Sequence, residues 1–270
     1  MELKAKEFAE FRALVYASSG ITLGDGKESL VSSRVGKRMR ALGMEDFRSY
    51  LDWLREGTDP EEMVQMLDAI STNVTSFFRE PEHFDFIREV VIDWERKVQK
   101  RFRFWSAACS SGEEPYTLAM SLGECGLSGC DIRILATDLS TRVLASAQAG
   151  VYPEAKISEL PPGLASRYFA PVKGSGPATF AARDGLKDMI VFKRMNLAFP
   201  PFPMQGPLDI ILIRNVMIYF DNEVRGRLIA DAHRLLKPGG YLLVGHSESL
   251  TGLTNGFQSV RPSIYRKPAA

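Results

Sequence analysis

Apolar positions change period near residue 100, dividing the chain into two kinds of structure. Before that point the repeat is helical. Phe8, Phe11, Leu14 and Val15 recur at intervals of three and four, and so do Phe47, Tyr50, Leu51 and Leu54. Pro60–Ile70 opens with a proline and two acids, as helices often do. A helix over 28–42 puts Val31, Val35, Met39 and Leu42 on one face, with Lys27, Arg34, Lys37 and Arg38 on an adjacent stripe. From residue 102 onward short apolar strands (103–107, 133–137, 189–194, 208–213, 241–246, 257–266) alternate with helices (114–124, 141–148, 223–236). Such alternation implies a mostly parallel sheet covered by helices on both faces. The last two strands, linked by 247–256, are expected to form a hairpin and add an antiparallel edge. Between 150 and 190 prolines and glycines interrupt the pattern, which fits either a functional insertion or a tolerated surface excursion.

Composition narrows the picture mainly by exclusion. The chain has 270 residues, 45% of them hydrophobic and 25% charged, which suits an ordinary globular protein with real cores. Its longest apolar runs, 210–213 and 241–244, are far too short to span a bilayer. The first seven residues contain no apolar signal core, so export is not expected. Cys109, Cys125 and Cys130 form no metal-ligand spacing and leave one thiol over, which favours a reducing, cytoplasmic compartment. His83, His233 and His246 are too scattered in sequence for a metal site, so no metal is expected. A net charge of +1 gives no general reason to invoke nucleic acid.

The most informative stretch is Phe104-Trp-Ser-Ala-Ala-Cys-Ser-Ser-Gly-Glu-Glu-Pro115, a strand, a run of tiny residues and a helix start. Small residues in such a turn let a ligand approach the backbone closely. A helix N-terminus ordinarily favours an anion, but Glu113 and Glu114 stand there and would repel a pyrophosphate. An adenosine bearing a sulfonium and an ammonium satisfies both demands, which points to S-adenosylmethionine. Asp138, at the end of the next strand, is placed to accept hydrogen bonds from ribose hydroxyls. Its alternative is a helix cap, a role Ser140 could fill equally well. Asn196 and Asn215 follow later strands, where they could read an adenine edge or simply form turns. Gly245-His-Ser-Glu-Ser249 imitates a hydrolase elbow but lacks the final glycine and a closely following helix.

Several long motifs then carry a family resemblance. Ser71-Thr-Asn-Val-Thr-Ser-Phe-Phe-Arg-Glu80, Trp105-Ser-Ala-Ala-Cys-Ser-Ser-Gly-Glu-Glu-Pro-Tyr116, Ile213-Arg-Asn-Val-Met-Ile-Tyr-Phe-Asp221 and Lys237-Pro-Gly-Gly-Tyr-Leu-Leu-Val-Gly-His-Ser-Glu-Ser249 resemble the CheR family of chemoreceptor methyltransferases. The resemblance implies an all-α domain over 1–72, then a Rossmann-like class I methyltransferase domain over 73–270 with a small β-subdomain inserted near 151–190. It implies methyl transfer from S-adenosylmethionine to glutamate carboxylates on the cytoplasmic helices of chemotaxis receptors, leaving S-adenosylhomocysteine. Asn73, Thr75, Arg79, Glu113, Asp138, Asn196, Leu197, Asn215 and Val216 would contact the cofactor. Arg79 and Tyr219 would lie nearest the transferred methyl. Arg34, Lys37 and Arg38 would face the glutamate-rich receptor helix, and the insert would in some members capture a receptor C-terminal pentapeptide. DNA methylation is disfavoured, because no Asn/Asp-Pro-Pro-Tyr run is present. The rival reading is a non-catalytic module that keeps affinity for cofactor or receptor.

Overall fold

Neighbouring residues on one strand bury on opposite faces of the central sheet, and this sets the layers. Phe102 and Phe104 join one core, while Trp105 and Ala107 join the other. The computed structural model describes residues 3–57, 59–71, 73–174, 176–253 and 256–269. Thr72, the last residue of the anticipated helical domain, and Ser175 in the insert lie outside the described residues, as do the first two residues, Thr58, Thr254, Asn255 and Ala270.

The N-terminal region is helical as its period predicts. It comprises α1 (Ala5–Ser19), α2 (Glu28–Ala41), α3 (Phe47–Glu56) and α4 (Pro60–Ile70). Their apolar faces meet in a separate core around Phe11, Val15, Val35, Met39, Phe47, Tyr50 and Leu51. Asp46 accepts the Ser49 amide at 2.8 Å to start α3, and Asp59 accepts the Glu61 amide at 3.0 Å to start α4. Helix α1 stops at Gly20, in the left-handed region at φ 70°; a Cβ there would come within 2.5 Å of the Ala198 Cβ. The helical region therefore closes directly onto the sheet domain.

Helix α5 (Glu82–Arg96) fills a stretch for which the sequence reading assigned no element. Phe84, Ile87 and Val91 recur at helical spacing and bury against the sheet, so the signal was present but short. There follow β1 (Arg101–Ser106), α6 (Glu113–Gly123), β2 (Asp131–Asp138) and α7 (Thr141–Ala149). The next segment holds β3 (Val151–Pro153), α8 (Glu154–Ile157), α9 (Leu164–Tyr168), β4 (Phe169–Pro171), β5 (Thr179–Ala182) and α10 (Asp184–Lys187). The chain ends with β6 (Ile190–Arg194), β7 (Leu208–Ile213), a 3-10 turn (Met217–Tyr219), α11 (Asn222–Leu235), β8 (Leu236–Val244), β9 (Gln258–Arg261) and β10 (Ile264–Arg266).

The main sheet runs β6-β2-β1-β7-β8-β10-β9, parallel from β6 to β8 and antiparallel at β10 and β9. Helices α5 and α6 cover one face and α11 the other. Strand order reverses beside β1, which opens a crevice beyond the strands' carboxyl ends. One expectation needs correction. The stretch 257–266 is not one strand but the β9–β10 hairpin, because Pro262 and left-handed Ser263 (φ 60°) break it. The antiparallel edge is thus two strands wide, and β8 pairs with β10.

Within 150–190 a second sheet, β3-β5-β4, is wholly antiparallel. Phe77, Tyr152 and Phe169 lock it to the chain entering α5, with ring centroids 4.9 to 6.1 Å apart. The Tyr152 hydroxyl also donates to the Ser111 carbonyl at 2.7 Å, bracing the turn after β1.

Candidate active site

The crevice beyond β1, β2, β6 and β7 is roofed by the helical region and by the chain linking the two cores. Ala107, Ala108 and Ser110 line it after β1, Asp138 after β2, Asn196 and Leu197 after β6, and Asn215 and Val216 after β7. Asn73, Thr75 and Arg79 enter from the linker, and Tyr219 from the 3-10 turn. Of the cofactor residues anticipated from sequence, only Glu113 is absent from this lining. Alanines at the floor leave backbone exposed to a ligand, as the small-residue run predicts.

Each polar group at the sheet edge is held by a specific bond. Asp138 accepts the Ser110 amide at 2.8 Å and the Ser140 amide at 3.0 Å, while Ser140 itself caps α7 by accepting the Val143 amide. The cap alternative for Asp138 therefore fails, since Ser140 takes that role. Burial raises the Asp138 carboxyl above its usual range despite these amides. Asn196 differs from expectation. Its side chain donates to the Ser18 carbonyl at 2.8 Å and accepts the Ala198 amide at 3.1 Å, so it joins α1 to the sheet rather than presenting a free amide. Asn215 sits in the left-handed region at φ 58°, with its own N–H held by Glu248 at 2.7 Å. Gly245 must be glycine beside it, because a Cβ would lie 2.5 Å from the Asn215 Nδ2. Asn73 supplies an orphan donor to the site: its Nδ2 is buried with no hydrogen-bond partner among the described residues. A buried donor left unmade costs about 1–3 kcal/mol, so it suits an acceptor on a bound ligand.

The two acids at the start of α6 behave differently from the sequence expectation. Glu113 is fully buried behind the crevice, where Lys156 of the insert pairs with it and the Ser111 hydroxyl donates at 2.7 Å. Glu114 does line the crevice, but Arg214 donates to it at 2.7 Å and Ser106 at 2.7 Å. Contrary to expectation, neither charge is free to draw a cation, and Asp138 is the lining carboxylate without a cationic partner among the described residues. Arg214 also bonds Glu80 at 3.0 Å and the Arg79 carbonyl, and its guanidinium lies over the Phe84 ring. One cation thus serves two carboxylates. Burial holds Glu114 above the usual range despite Arg214, whereas at Glu80 burial is outweighed by Arg214 and by bonds from Asn215 and the His246 amide, which leave it lowered.

Tyr219 is positioned by its backbone. Its carbonyl accepts the Thr22 amide at 2.8 Å, Ile21 bridges Phe220, and Tyr16 donates to Asp221 at 2.6 Å. Arg79 donates to the Val74 carbonyl at 3.1 Å, curling the linker over the crevice mouth. Thr22, Leu23 and Leu30, which also line the cleft, carry no sequence signal because only folding brings α1 and α2 over the sheet.

The basic stripe on α2 divides. Arg38 is withdrawn from the proposed receptor face: Glu62 binds it at 2.8 and 2.9 Å, and Tyr50 donates to the same carboxylate at 2.6 Å. Arg34 caps α4 through the carbonyls of Ile70 and Ser71 at 2.7 and 2.8 Å. Arg34 and exposed Lys37 still line a shallow groove with Arg142 of α7, contiguous with the cleft at Ser71, Asn73 and Val74. The histidines also depart from expectation. His83 and His246, far apart in sequence, stack edge to face with ring centroids 5.1 Å apart.

Comparison with known proteins agrees with this geometry. Residues 6–71 match the family model "CheR methyltransferase, all-alpha domain", and residues 73–265 match "CheR methyltransferase, SAM binding domain". A chemotaxis protein methyltransferase of Borreliella burgdorferi is 38% identical, covering 97% of this chain and 94% of that protein. One from Salmonella typhimurium is 35% identical over 98% of this chain and 91% of its own length. Chemotaxis protein methyltransferase 2 of Pseudomonas aeruginosa is 36% identical, with 96% and 92% covered. The chain belongs to the CheR methyltransferase family, whose sheet domain binds S-adenosylmethionine.

Proposed function

We propose that this CheR-family enzyme transfers the methyl group of S-adenosylmethionine to glutamate side chains on the cytoplasmic helices of chemotaxis receptors, leaving glutamyl methyl esters and S-adenosylhomocysteine. The observation that supports this reading best is one cleft in which Asp138, the Asn73 Nδ2 that lacks a partner among the described residues, and the alanine floor face Arg79 and Tyr219. Asp138 suits ribose hydroxyls, and the backbone around Asn196, Leu197, Asn215 and Val216 suits an adenine. Thr75 and Arg79 close the mouth. The cofactor supplies a methyl group activated by a positively charged sulfur.

The chain's own residues have little proton chemistry to do. A glutamate carboxylate, with an ordinary pKa near ~4.3, is already ionised at neutral pH and needs no general base. What remains is alignment and exclusion of water, for which positioning contributes roughly 7–11 kcal/mol. Arg79 orients the incoming carboxylate, and the Tyr219 hydroxyl steadies its second oxygen. In this reading the helical domain, 1–72, faces the receptor. Lys37, Arg34 and Arg142 border the groove that leads to the cleft, and a glutamate-rich helix complements them. The insert offers the edge strands β3 and β4, to which a receptor pentapeptide can add by backbone pairing.

The test is incubation with methyl-labelled S-adenosylmethionine and receptor cytoplasmic fragments, followed by mild base. Label released as volatile methanol is the expected result. Base-stable label, or none, overturns glutamate O-methylation. Tyr219→Phe and Arg79→Ala are each expected to lower kcat at least ~10-fold; full turnover in both removes their assigned roles.

A further inference from the structure

Two of the chain's three histidines meet beside the cleft. His83 lies in the first turn of α5 and is fully buried, yet neither ring nitrogen has a hydrogen-bond partner among the described residues. Its Nδ1 faces Glu80 Oε2 at 3.5 Å. His246, on the loop after β8, brings its Nε2 within 4.0 Å of that oxygen and 2.6 Å of Glu82 Oε1. One ligand atom from each of Glu80, His83 and His246 thus falls within 4.8 Å of the others. A tetrahedral zinc ion with bonds of about 2.0–2.2 Å spaces its ligands roughly 3.4 Å apart, so small side-chain rotations complete the shell.

We propose that Glu80, His83 and His246, with Glu82 as a fourth ligand, form a binding site for a divalent transition-metal ion of the zinc class. Two imidazoles and carboxylate oxygens are a donor set that such ions favour over magnesium or calcium. The opposing charges are Arg214, 3.0 Å from Glu80, and the N-terminal end of α5; Glu80, Glu82 and Glu114 offset them. An ion here ties the start of α5 to the β8 loop, whose Glu248 accepts the Gly245 and Asn215 amides. The site is independent of the methyl-acceptor assignment, and its failure would leave that assignment untouched.

The experiment uses untagged, chelator-stripped full-length protein titrated with Co2+, followed by displacement with Zn2+. The expected result is one Co2+ per chain with ligand-field absorption in the visible, no thiolate charge-transfer band, and a rise in Tm with Zn2+. His246→Ala is half-exposed and suited to the test; it should weaken Co2+ binding on the order of 100-fold, while His233→Ala leaves it unchanged. Glu82→Gln, also at the surface, is the second variant should His246→Ala not fold; it should weaken binding about 10-fold. No stoichiometric uptake overturns the proposal, as does a thiolate band tracing the ion to the cysteines. Binding undiminished in both His246→Ala and Glu82→Gln overturns it equally.

Discussion

Two arginine–carboxylate clusters, Arg38 with Glu62 in the helical region and Arg214 with Glu80 and Glu114 at the cleft, are built to opposite balances. In the helical region Arg38 meets Glu62 alone, and Tyr50 satisfies the same carboxylate, so charge and hydrogen bonds close on themselves. At the cleft Arg214 is divided between Glu80 and Glu114, its Nε has no partner among the described residues, and Asn73 and His83 nearby are also unsatisfied. The first arrangement holds a scaffold together. The second leaves donors and charge unmatched where a ligand is expected, which makes it costly in isolation and useful on binding.

Replacing Arg214 should have the largest effect. Arg214→Met leaves two buried carboxylates without a cation, which costs about 3–5 kcal/mol of stability. It also frees the Arg79 carbonyl and the linker, so cofactor binding should fall below detection by calorimetry. Retained cofactor affinity in a folded Arg214→Met protein would remove the distinction between the clusters. The matched change in the helical core, Arg38→Met, should cost about 3 kcal/mol because Glu62 stays buried, yet turnover per folded molecule should not change. Adding Glu62→Leu should recover most of that loss in urea unfolding. The equivalent repair at the cleft, Arg214→Met with Glu114→Leu, should recover stability without activity.

The same contrast explains what could be read in advance. Asp138, Asn215 and the alanine floor lie at strand ends, where a period-two pattern followed by small or turn residues fixes position almost by counting. Helix boundaries such as Pro60–Ile70 were legible for a similar reason, since proline and acids mark a first turn locally. Long-range pairing was not legible. Nothing local distinguishes Arg38, captured by Glu62 across the bundle, from exposed Lys37 one residue before it. Glu113 and Glu114 are neighbours in sequence, but a helix turns them to different sides, so one faces the cleft and the other faces Lys156. His83 and His246 meet only because the start of α5 folds against the loop after β8.

A smaller effect tests the surface left to substrate once Arg38 is removed from it. Lys37→Glu with Arg142→Glu should raise the apparent KM for receptor about 10-fold at low ionic strength, with kcat and cofactor affinity unchanged. Both side chains border open solvent, so the difference should shrink as salt shortens the screening length. A salt-independent defect would point to a packing change in the groove instead of lost steering.

The smallest effect concerns how the scaffold aims Tyr219. Tyr16 and Asp221 form an exposed 2.6 Å bond that ties α1 to the turn carrying Tyr219. Tyr16→Phe deletes one hydroxyl, and Asp221 keeps its role as the cap of α11 by accepting the Val224 amide at 2.9 Å. The Thr22 amide still holds the Tyr219 carbonyl, and the Ile21–Phe220 bridge remains. Stability should therefore fall by no more than about 1 kcal/mol. With three ties reduced to two, the turn gains freedom where alignment matters, so kcat should drop about 2–3-fold while cofactor affinity stays constant. A loss confined to stability, with kcat intact, would mean that the backbone ties through Thr22 and Ile21 suffice to aim Tyr219.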